Sequence, residues 1–317
     1  MPLVIGFAVI IFIIFQSNVF ELFSMIKRAD LRFLSIAMMF YIIINLAQAY
    51  RLKVILQGQG YENLSILKVF WSHMAGILIS DATPGKSGYL SIAFFLKEDK
   101  NIRLSHGLHS VTYIYSVDFF IKALATSLAI VYLSLTLSIG METVRAMLIV
   151  VAFGLFIAVL LFLILFGARP QQIESFLGRW SFGKRLLNML QIFRESTLNT
   201  RSVLFLVIVI SLCSWLLWGL CFYALGLSLG LPLPFLTFLF MQPLASLLTL
   251  VPITIGGLGF MEAGLTGMII LYGISFERAL AFALLLRVIE IIGNISMGAK
   301  TLFLRRKYLY SELKTSE

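Results

Sequence analysis

The chain has 317 residues, of which 60% are hydrophobic and only 13% are charged. Soluble domains have about 45–50% apolar and about 25% charged residues, so this composition excludes a soluble fold and indicates an integral membrane protein. The formal net charge of +10 does not indicate a nucleic-acid partner. Most Lys and Arg residues lie in short segments between apolar blocks, where the signals that set membrane topology belong.

The predicted elements begin with a short apolar first helix at residues 1–16, which lacks the basic start and the small-residue cleavage site of a signal peptide. Runs of about 20 apolar residues then predict full-length spans. These spans lie at 31–56, 108–138, 143–167, 201–226 and 277–304. Together the elements predict a single transmembrane domain over residues 1–317, with about six full transmembrane helices.

Two regions, 64–96 and 233–273, do not fit simple spans. Each begins with a run too short or too polar to cross cleanly, meets a Pro/Gly motif that carries ionisable residues, and continues with another short apolar run. Unwound backbone at membrane depth is tolerated only where protein buries it or where it lines a wet cavity. We therefore expect two re-entrant, broken helical hairpins around a cavity. The motifs run from Asp81 to Gly88 and from Pro252 to Glu262.

The distribution of basic residues predicts a multi-pass protein of the cell membrane with its N- and C-termini in the cytoplasm. Arg51 counts among the cytoplasmic residues in this assignment. The half-repeats 31–138 and 201–304 then start on opposite sides of the membrane, which predicts an inverted repeat whose hairpin tips approach each other near the bilayer middle. The linking helix 143–167 and a basic, amphipathic cytoplasmic segment, 168–200, lie between the halves.

Ionisable residues inside a membrane are costly, so each one is a candidate for function. The spacings of two pairs, Asp118 with Lys122 and Arg287 with Glu290, place each pair on one helix face, where it can neutralise itself. His106 and His109 are expected to be solvated or capping residues rather than metal ligands. The intramembrane set is Asp81, Lys86, Asp118, Lys122, Glu262, Arg287 and Glu290.

The two motifs suggest a way to hold an anion. Their glycines permit backbone conformations that leave amide N–H groups free to point at a ligand, and a helix that restarts after the break adds its positive dipole end. Lys86 adds a full charge, and Glu262 is placed to act as a cap, as a countercharge to Arg287, or as an acceptor for a cationic or hydroxylated headgroup. Such a site would suit the phosphate of a lipid headgroup.

The chain resembles the transmembrane flippase region of the lysylphosphatidylglycerol synthase family, in particular its stand-alone members without a synthase domain. The resemblance covers nearly the whole chain. It rests on the segment Thr83–Gly88, on Pro252, on the segment Gly256–Glu262, on Gly273 and on Arg287. The chain departs from the family pattern at Tyr89, where an acidic residue is usual. The resemblance implies a lipid-accessible cavity and movement of aminoacylated or otherwise polar lipids between leaflets.

The sequence therefore predicts an all-α polytopic membrane protein that is not an enzyme and that translocates a polar or phosphate-bearing lipid. The resemblance also implies an isoprenoid-phosphate-linked glycolipid as an alternative substrate. A non-transporting accessory subunit of a lipid-linked glycosyltransferase and a proton-coupled small-solute carrier are alternative functions.

Membrane lipids are the expected partners, a glycosyltransferase partner and a homo-oligomer stay open, and no cofactor, ATP or metal is implied. The expected substrate-binding residues are Asp81, Pro84, Gly85, Lys86, Gly88, Asp118, Lys122, Pro252, Gly256, Gly257, Gly259, Glu262, Arg287 and Glu290.

Overall fold

The computed structural model of the protein describes residues 2–100, 102–137, 191–249 and 254–315, together with scattered positions between 142 and 160. Of residues 2, 98–100 and 305–315 it describes only the backbone. The described chain is helical apart from turns, short 3-10 segments and one isolated β-bridge. The expectation of an all-α polytopic membrane protein is confirmed.

Ten helices are named in chain order, with residues that the structure does not describe lying between the sixth and the seventh. They are α1 (Pro2–Phe15), α2 (Val19–Lys27), α3 (Leu31–Gly58), α4 (Ile66–Asp81), α5 (Ser91–Lys100), α6 (Leu104–Thr136), α7 (Leu204–Ser228), α8 (Phe235–Leu248), α9 (Phe260–Ile270) and α10 (Phe276–Thr315). Single 3-10 turns precede α5 at Ser87–Leu90 and α7 at Arg201–Val203. A further helical segment occupies residues 191–199.

Four described stretches are long and apolar enough to cross a membrane, and they coincide with four of the spans that hydropathy predicts. They are Leu31–Gly58, Leu104–Thr136, Arg201–Ser228 and Phe276–Leu304. The first apolar helix meets α2 at an angle of 95°, so these two make a fifth span only if counted as one bent element. The predicted number of about six is not reached in the described residues. The linking helix 143–167, apart from scattered positions, and segment 168–190 lie outside them.

Helices α3 and α7 pack against each other, with α4, α6, α8 and α10 around them. Aromatic and aliphatic side chains of α3, α7, α8, α9 and α10 form the larger part of the core, and α3, α4, α5 and α6 share a second cluster. Small residues allow close approach of helices, as membrane packing requires in the absence of a hydrophobic drive between them. At Gly293 of α10, a Cβ would lie 2.5 Å from the ring of Tyr41 on α3.

The packing pattern supports the predicted inverted repeat. Exchanging α3, α4, α5 and α6 for α7, α8, α9 and α10 turns each major contact into another that is also present. The pair α3–α4 corresponds to α7–α8, the pair α5–α6 to α9–α10, and the crosswise pair α4–α10 to α8–α6. The assignment of half-repeats 31–138 and 201–304 stays a prediction, but this is the contact pattern that a two-fold relation would produce.

Both predicted hairpins are broken in the described structure. Helix α4 ends at Asp81, and the chain turns through residues 82–86, the first tip, before the 3-10 turn and α5. Helix α8 ends at Leu248, and residues 254–259, the second tip, lead into α9. Pro252 lies outside the described residues.

Helix α8 carries an internal proline whose cost is offset by a neighbouring helix. Pro243 has no N–H to donate to the carbonyl of Leu239, four residues earlier. The indole Nε1 of Trp215 on α7 donates to that carbonyl at 3.1 Å instead. An unsatisfied carbonyl in a membrane costs several kcal/mol, so the indole contributes to keeping α8 continuous through the proline.

The sequence predicts that both histidines near the start of α6 are solvated or capping residues. For His109 this prediction is wrong. His109 is fully buried, with Nδ1 2.6 Å from Nε2 of Gln59 and Nε2 2.9 Å from Oγ1 of Thr197. His106 contacts the hydroxyl of Tyr61 at 3.0 Å. These contacts join α3, α6 and the helical segment 191–199, so the histidines fasten three elements together.

Candidate functional site

The first tip is held by side chains of its own motif. The hydroxyl of Thr83 donates to the carbonyl of Ser80 at 3.0 Å and accepts from the N–H of Gly88 at 2.8 Å. The hydroxyl of Ser80 donates to the carbonyl of Lys86 at 3.2 Å. Lys86 has φ 54 and ψ 28, a left-handed backbone conformation that a residue with a Cβ rarely adopts. These local hydrogen bonds thus fix the backbone of the turn and, with it, the direction of the Lys86 side chain.

A chain of polar contacts links the first tip to α10 and α3. Nζ of Lys86 lies 3.7 Å from Oδ1 of Asp81. Asp81 accepts from Nδ2 of Asn294 at 2.5 Å, and Asn294 accepts from the hydroxyl of Tyr41 at 2.6 Å. Because both oxygens of Asp81 face a donor, this carboxylate holds the tip and partly compensates the charge of Lys86.

The second tip is organised by Glu262, in the first turn of α9. Its Oε2 accepts from the N–H of Gly259 at 2.7 Å, and its Oε1 accepts from Nε of Arg287 at 2.5 Å. Arg287 also donates to the carbonyl of Gly256 at 3.3 Å. The side chain of Glu262 is 1% exposed. Glu262 therefore acts both as a helix cap and as a countercharge to Arg287, two of the three roles that the sequence suggested.

The two tips touch. Pro84 and Ile255 form an antiparallel bridge, and the N–H of Gly256 lies 3.4 Å from the carbonyl of Thr83. A Cβ at Gly256, which has φ 57, would lie 2.7 Å from the carbonyl oxygen of Asp81. Glycine is therefore needed there for both conformation and clearance.

The sequence did not predict an ion pair that joins α3 and α6. Arg51 on α3 donates to both oxygens of Asp118 on α6, with a distance of 2.9 Å from Nη2 to Oδ2, and to the hydroxyl of Ser211 on α7. Arg51 is 2% exposed, so it is not the solvated topology signal that the sequence analysis counted. Asp118 is engaged with Arg51 rather than with Lys122, and the expected pair Asp118–Lys122 is not formed.

Lys122 consequently stands apart from the ion pairs. Among the described residues, no carboxylate lies within 4.0 Å of its Nζ, whereas Arg287 and Glu290 do approach to 3.5 Å as their spacing predicts. The reason is geometric: the bidentate guanidinium of Arg51 satisfies both oxygens of Asp118 better than a single ammonium group can.

A central cavity of about 130 Å³ is lined by residues of all eight helices from α3 to α10 and by the first tip. Three cationic side chains and two carboxylates line it, together with amide, hydroxyl and aromatic groups. The charged lining residues are Arg51, Lys86, Asp118, Lys122 and Glu290, and the uncharged polar and aromatic ones are Gln48, His73, Tyr89, Tyr115, Trp218, Phe222, Gln242, Ser246 and Thr249. A side chamber of about 60 Å³ shares Arg51, Asp118 and Lys122 with it and adds Ser211, Ser214, Trp215 and Pro243.

Several polar atoms on this lining lack a partner. Among the described residues, Nε of Arg51, Nε2 of His73 and the hydroxyl of Tyr115 are buried and form no hydrogen bond. The same holds for the hydroxyl of Ser214 in the side chamber. Buried polar groups in folded proteins are nearly always paired with protein or water. The cavity is therefore suited to a polar occupant that brings donors and acceptors.

Three of the tip amides that the sequence offers to an anion have partners within the protein, and the anion site at the tips stays a prediction. The N–H groups of Gly88, Gly256 and Gly259 are bonded to Thr83 and Glu262 within the protein. Arg287 is likewise occupied by the second tip and is not part of the cavity lining. Gly85 and Gly257 have φ 59 and φ 72 and shape the two turns. The cationic side chains Arg51, Lys86 and Lys122 provide positive charge on the lining of the cavity.

The sequence therefore predicted part of the lining of the central cavity. It singled out Lys86, Asp118, Lys122 and Glu290, but missed Arg51 and the uncharged groups. Arg51 carried a usable signal, because it lies within the apolar helix α3, seven residues before its end at Gly58. The glutamines and tyrosines carried none, since such residues occur in membrane helices for many reasons.

Two proteins are similar to this chain along most of its length. A UPF0104 membrane protein from Methanocaldococcus jannaschii is 27% identical over 241 residues, which is 76% of this chain and 100% of that protein. A UPF0104 membrane protein from Pyrococcus horikoshii is 23% identical over 328 residues, which is 98% of each. No solved structure matches the chain.

The family match agrees with the features described above. The family described as "Lysylphosphatidylglycerol synthase TM region" matches residues 3–298, which include both tips and every charged residue of the cavity. Because this match covers nearly the whole chain, the protein belongs to the lysylphosphatidylglycerol synthase transmembrane-region family.

Proposed function

We propose that the protein moves a phosphate-bearing lipid between the leaflets of the membrane, with the headgroup in the central cavity. The observation that carries the proposal is the lining of that cavity. Three cationic side chains face two carboxylates there, among helices long enough to span a membrane. The description of the family names a phospholipid, which fits this chemistry.

The charges on the lining favour a singly charged anion. Arg51 is neutralised by Asp118, and Lys86 is partly neutralised by Asp81 just outside the lining. Lys122 has no such partner among the described residues, so it is the cation on the lining that is open to an anionic occupant. A phosphodiester, with one negative charge, would pair with Lys122 inside a medium where an unpaired charge is costly.

The position of the cavity suits a headgroup deep in the membrane. Its lining on α6 runs from Val111 to Lys122. At a rise of about 1.5 Å per residue, these eleven steps extend roughly 16 Å, about half the thickness of the hydrocarbon core. Exposed leucines at Leu124 and Leu216 lie close in sequence to the side chamber's Ile121 and Trp215, which supports acyl or isoprenoid chains remaining in the lipid.

The test is headgroup transfer by purified protein in phosphatidylcholine vesicles that contain a trace of acyl-chain-labelled phosphatidylglycerol. Transfer is measured as the fraction of label that a membrane-impermeant reductant quenches. Lys86→Ala and Lys122→Ala should each slow transfer by about 10- to 100-fold, because a lost hydrogen bond to a charged group is worth about 1.5–3 kcal/mol.

A matched control is Lys68→Ala. Lys68 lies on the same helix as Asp81 but is exposed and away from the cavity, so this variant should transfer lipid at the wild-type rate. Wild-type rates in both cavity variants, in protein that is folded, would remove the phosphate site from the cavity.

The same assay separates the alternatives. Wild-type protein that transfers no labelled lipid, but that co-purifies with and activates a glycosyltransferase, would be an accessory subunit. Uptake of a water-soluble solute without any lipid requirement would make it a solute carrier. Faster transfer of an isoprenoid-phosphate-linked sugar than of phosphatidylglycerol would identify the glycolipid as the substrate.

A further inference from the structure

The four carboxylates near the tips and the cavity differ in how fully their oxygens are occupied. Both oxygens of Asp118 accept from Arg51, and both oxygens of Glu262 accept donors, one from Gly259 and one from Arg287. Asp81 faces Asn294 with one oxygen and Lys86 with the other. Each of these three carboxylates therefore has a structural partner at both of its oxygens.

Glu290 is the exception. Oε2 of Glu290 lies 3.5 Å from Nη1 of Arg287, and that same nitrogen donates to the carbonyl of Gly256 at 3.3 Å. Among the described residues, no donor reaches Oε1 of Glu290. The side chain is 15% exposed and lines the central cavity, so it is open to an occupant.

From this difference we propose that Glu290 is a proton-binding site, and that the protein carries one proton with each anionic headgroup. The inference rests on the proposed function and adds the identity of the coupled ion. A phosphate placed near Lys86 would bring a second negative charge close to Glu290 inside a poorly hydrated space. Two such charges repel, and protonation of Glu290 would replace the repulsion by an O–H donor to a phosphate oxygen.

The surroundings of Glu290 suit this role, because charged groups of both signs and neutral titratable groups face it from the packed elements. They come from the end of α4, from the first tip and the 3-10 turn after it, from α3, α7 and α9, and from α10 itself. The groups are Asp81, Lys86, Tyr89, Tyr41, Cys221, Glu262 and Arg287. A bound anion would interact with the same positive groups that interact with charged Glu290, so the charged form of Glu290 would be stabilised less. Binding of the anion and binding of a proton should therefore favour each other.

Co-transport of one proton with one phosphodiester moves no net charge. Transfer should therefore respond to a pH difference across the membrane and not to a membrane potential. At equilibrium, a difference of one pH unit should enrich the labelled lipid about tenfold in the leaflet that faces the alkaline side, since one unit is a tenfold ratio of protons.

The first experiment measures proton uptake when the headgroup binds. Dihexanoylphosphatidylglycerol is added to wild-type protein in weakly buffered detergent solution with a pH dye, between pH 6 and 8. Wild type should take up about one proton per bound lipid, Glu290→Asp should also take up a proton, and Glu290→Gln should take up none. Glu62→Gln, which changes an exposed carboxylate on the connection before α4, is the matched control and should behave as wild type.

The second experiment imposes a difference of one pH unit on the phosphatidylcholine vesicles with acyl-chain-labelled phosphatidylglycerol. Wild type should reach the roughly tenfold enrichment, and a potassium diffusion potential should leave the distribution unchanged. Lipid that binds and crosses without proton uptake or enrichment would overturn the proton site and leave the proposed function standing. Proton uptake that persists in Glu290→Gln would also overturn it. Absence of both lipid binding and transfer in wild type would instead refute the proposed function.

Discussion

At the level of single residues, Lys86 combines an unfavourable backbone with a favourable position. Among the described residues other than glycine, it alone has a positive φ. A residue with a Cβ in this conformation costs about 1–2 kcal/mol. The hydrogen bond from Ser80 and the contact with Asp81 hold the tip in this unfavourable conformation. In this conformation Lys86 lines the cavity.

Because of this strain, different substitutions of Lys86 should affect protein stability and lipid transfer separately. Lys86→Gly relieves the strain that Lys86→Ala keeps, so the glycine variant should be more stable than the alanine variant by about 1 kcal/mol. Thermal unfolding in detergent measures the difference. Both variants should transfer lipid about 10- to 100-fold more slowly than wild type, because neither has a charge. Transfer at the wild-type rate by Lys86→Gly would show that the backbone conformation matters and the ammonium group does not.

The charged residues of the site were largely predictable, while their partners were not. Lys86 and Glu290 stood out because ionisable groups are rare at membrane depth. The partner of Asp118 could not be predicted from helical spacing, which favours Lys122. Arg51 lies 67 positions away in the chain and meets Asp118 only through the packing of α3 on α6.

At the level of elements, the two tips depend on glycines at positions where an added Cβ would clash with neighbouring atoms. Gly256→Ala should lower stability by about 1–3 kcal/mol, because its Cβ would meet the carbonyl of Asp81 in a conformation that alanine resists. Thermal unfolding in detergent checks this loss.

Gly267→Ala is the matched control, since nothing lies within 4 Å of the Cβ it would add in α9. This variant should be neutral or slightly more stable. An equal loss in both variants would contradict the close contact of the tips.

The long helices were predicted from hydropathy within a few residues. The predicted span 31–56 corresponds to Leu31–Gly58, and 201–226 corresponds to Arg201–Ser228. The bend of 95° between α1 and α2 was not predicted. Hydropathy reports how apolar a segment is and not its direction, and the turn at Ser17 and Asn18 carries no proline or glycine that would mark it.

At the level of the whole molecule, the tips bring the two predicted halves into contact. Residues directly opposed in such an antiparallel bridge have Cα atoms about 4.5–5.5 Å apart, within the range of a disulfide. If alternating access requires the tips to separate, a cross-link between Pro84 and Ile255 should stop transport.

The corresponding variant is Pro84→Cys with Ile255→Cys, in a background with Cys213→Ser and Cys221→Ala. Oxidation should reduce lipid transfer more than about tenfold, and reduction should restore it. Each single-cysteine variant should be insensitive to oxidation. Undiminished transfer by the cross-linked protein would show that the tips stay together throughout the cycle.

The approach of the tips was predicted from the opposite orientation of the halves, and the described bridge agrees with that prediction. The shape of the cavity was not predictable, because its lining comes from eight helices whose rotation is set by packing. Gln48, His73 and Gln242 meet there from α3, α4 and α8, and no spacing in the sequence joins them.

The indole that replaces the missing amide at Pro243 ties helix α8 to the side chamber. Trp215 holds the freed carbonyl of Leu239 and also lines that chamber. A hydrogen bond that α8 needs at its proline therefore comes from a different helix. An occupant of the chamber that displaces the indole must itself satisfy the carbonyl, so filling of the chamber and the backbone hydrogen bonding of α8 are coupled.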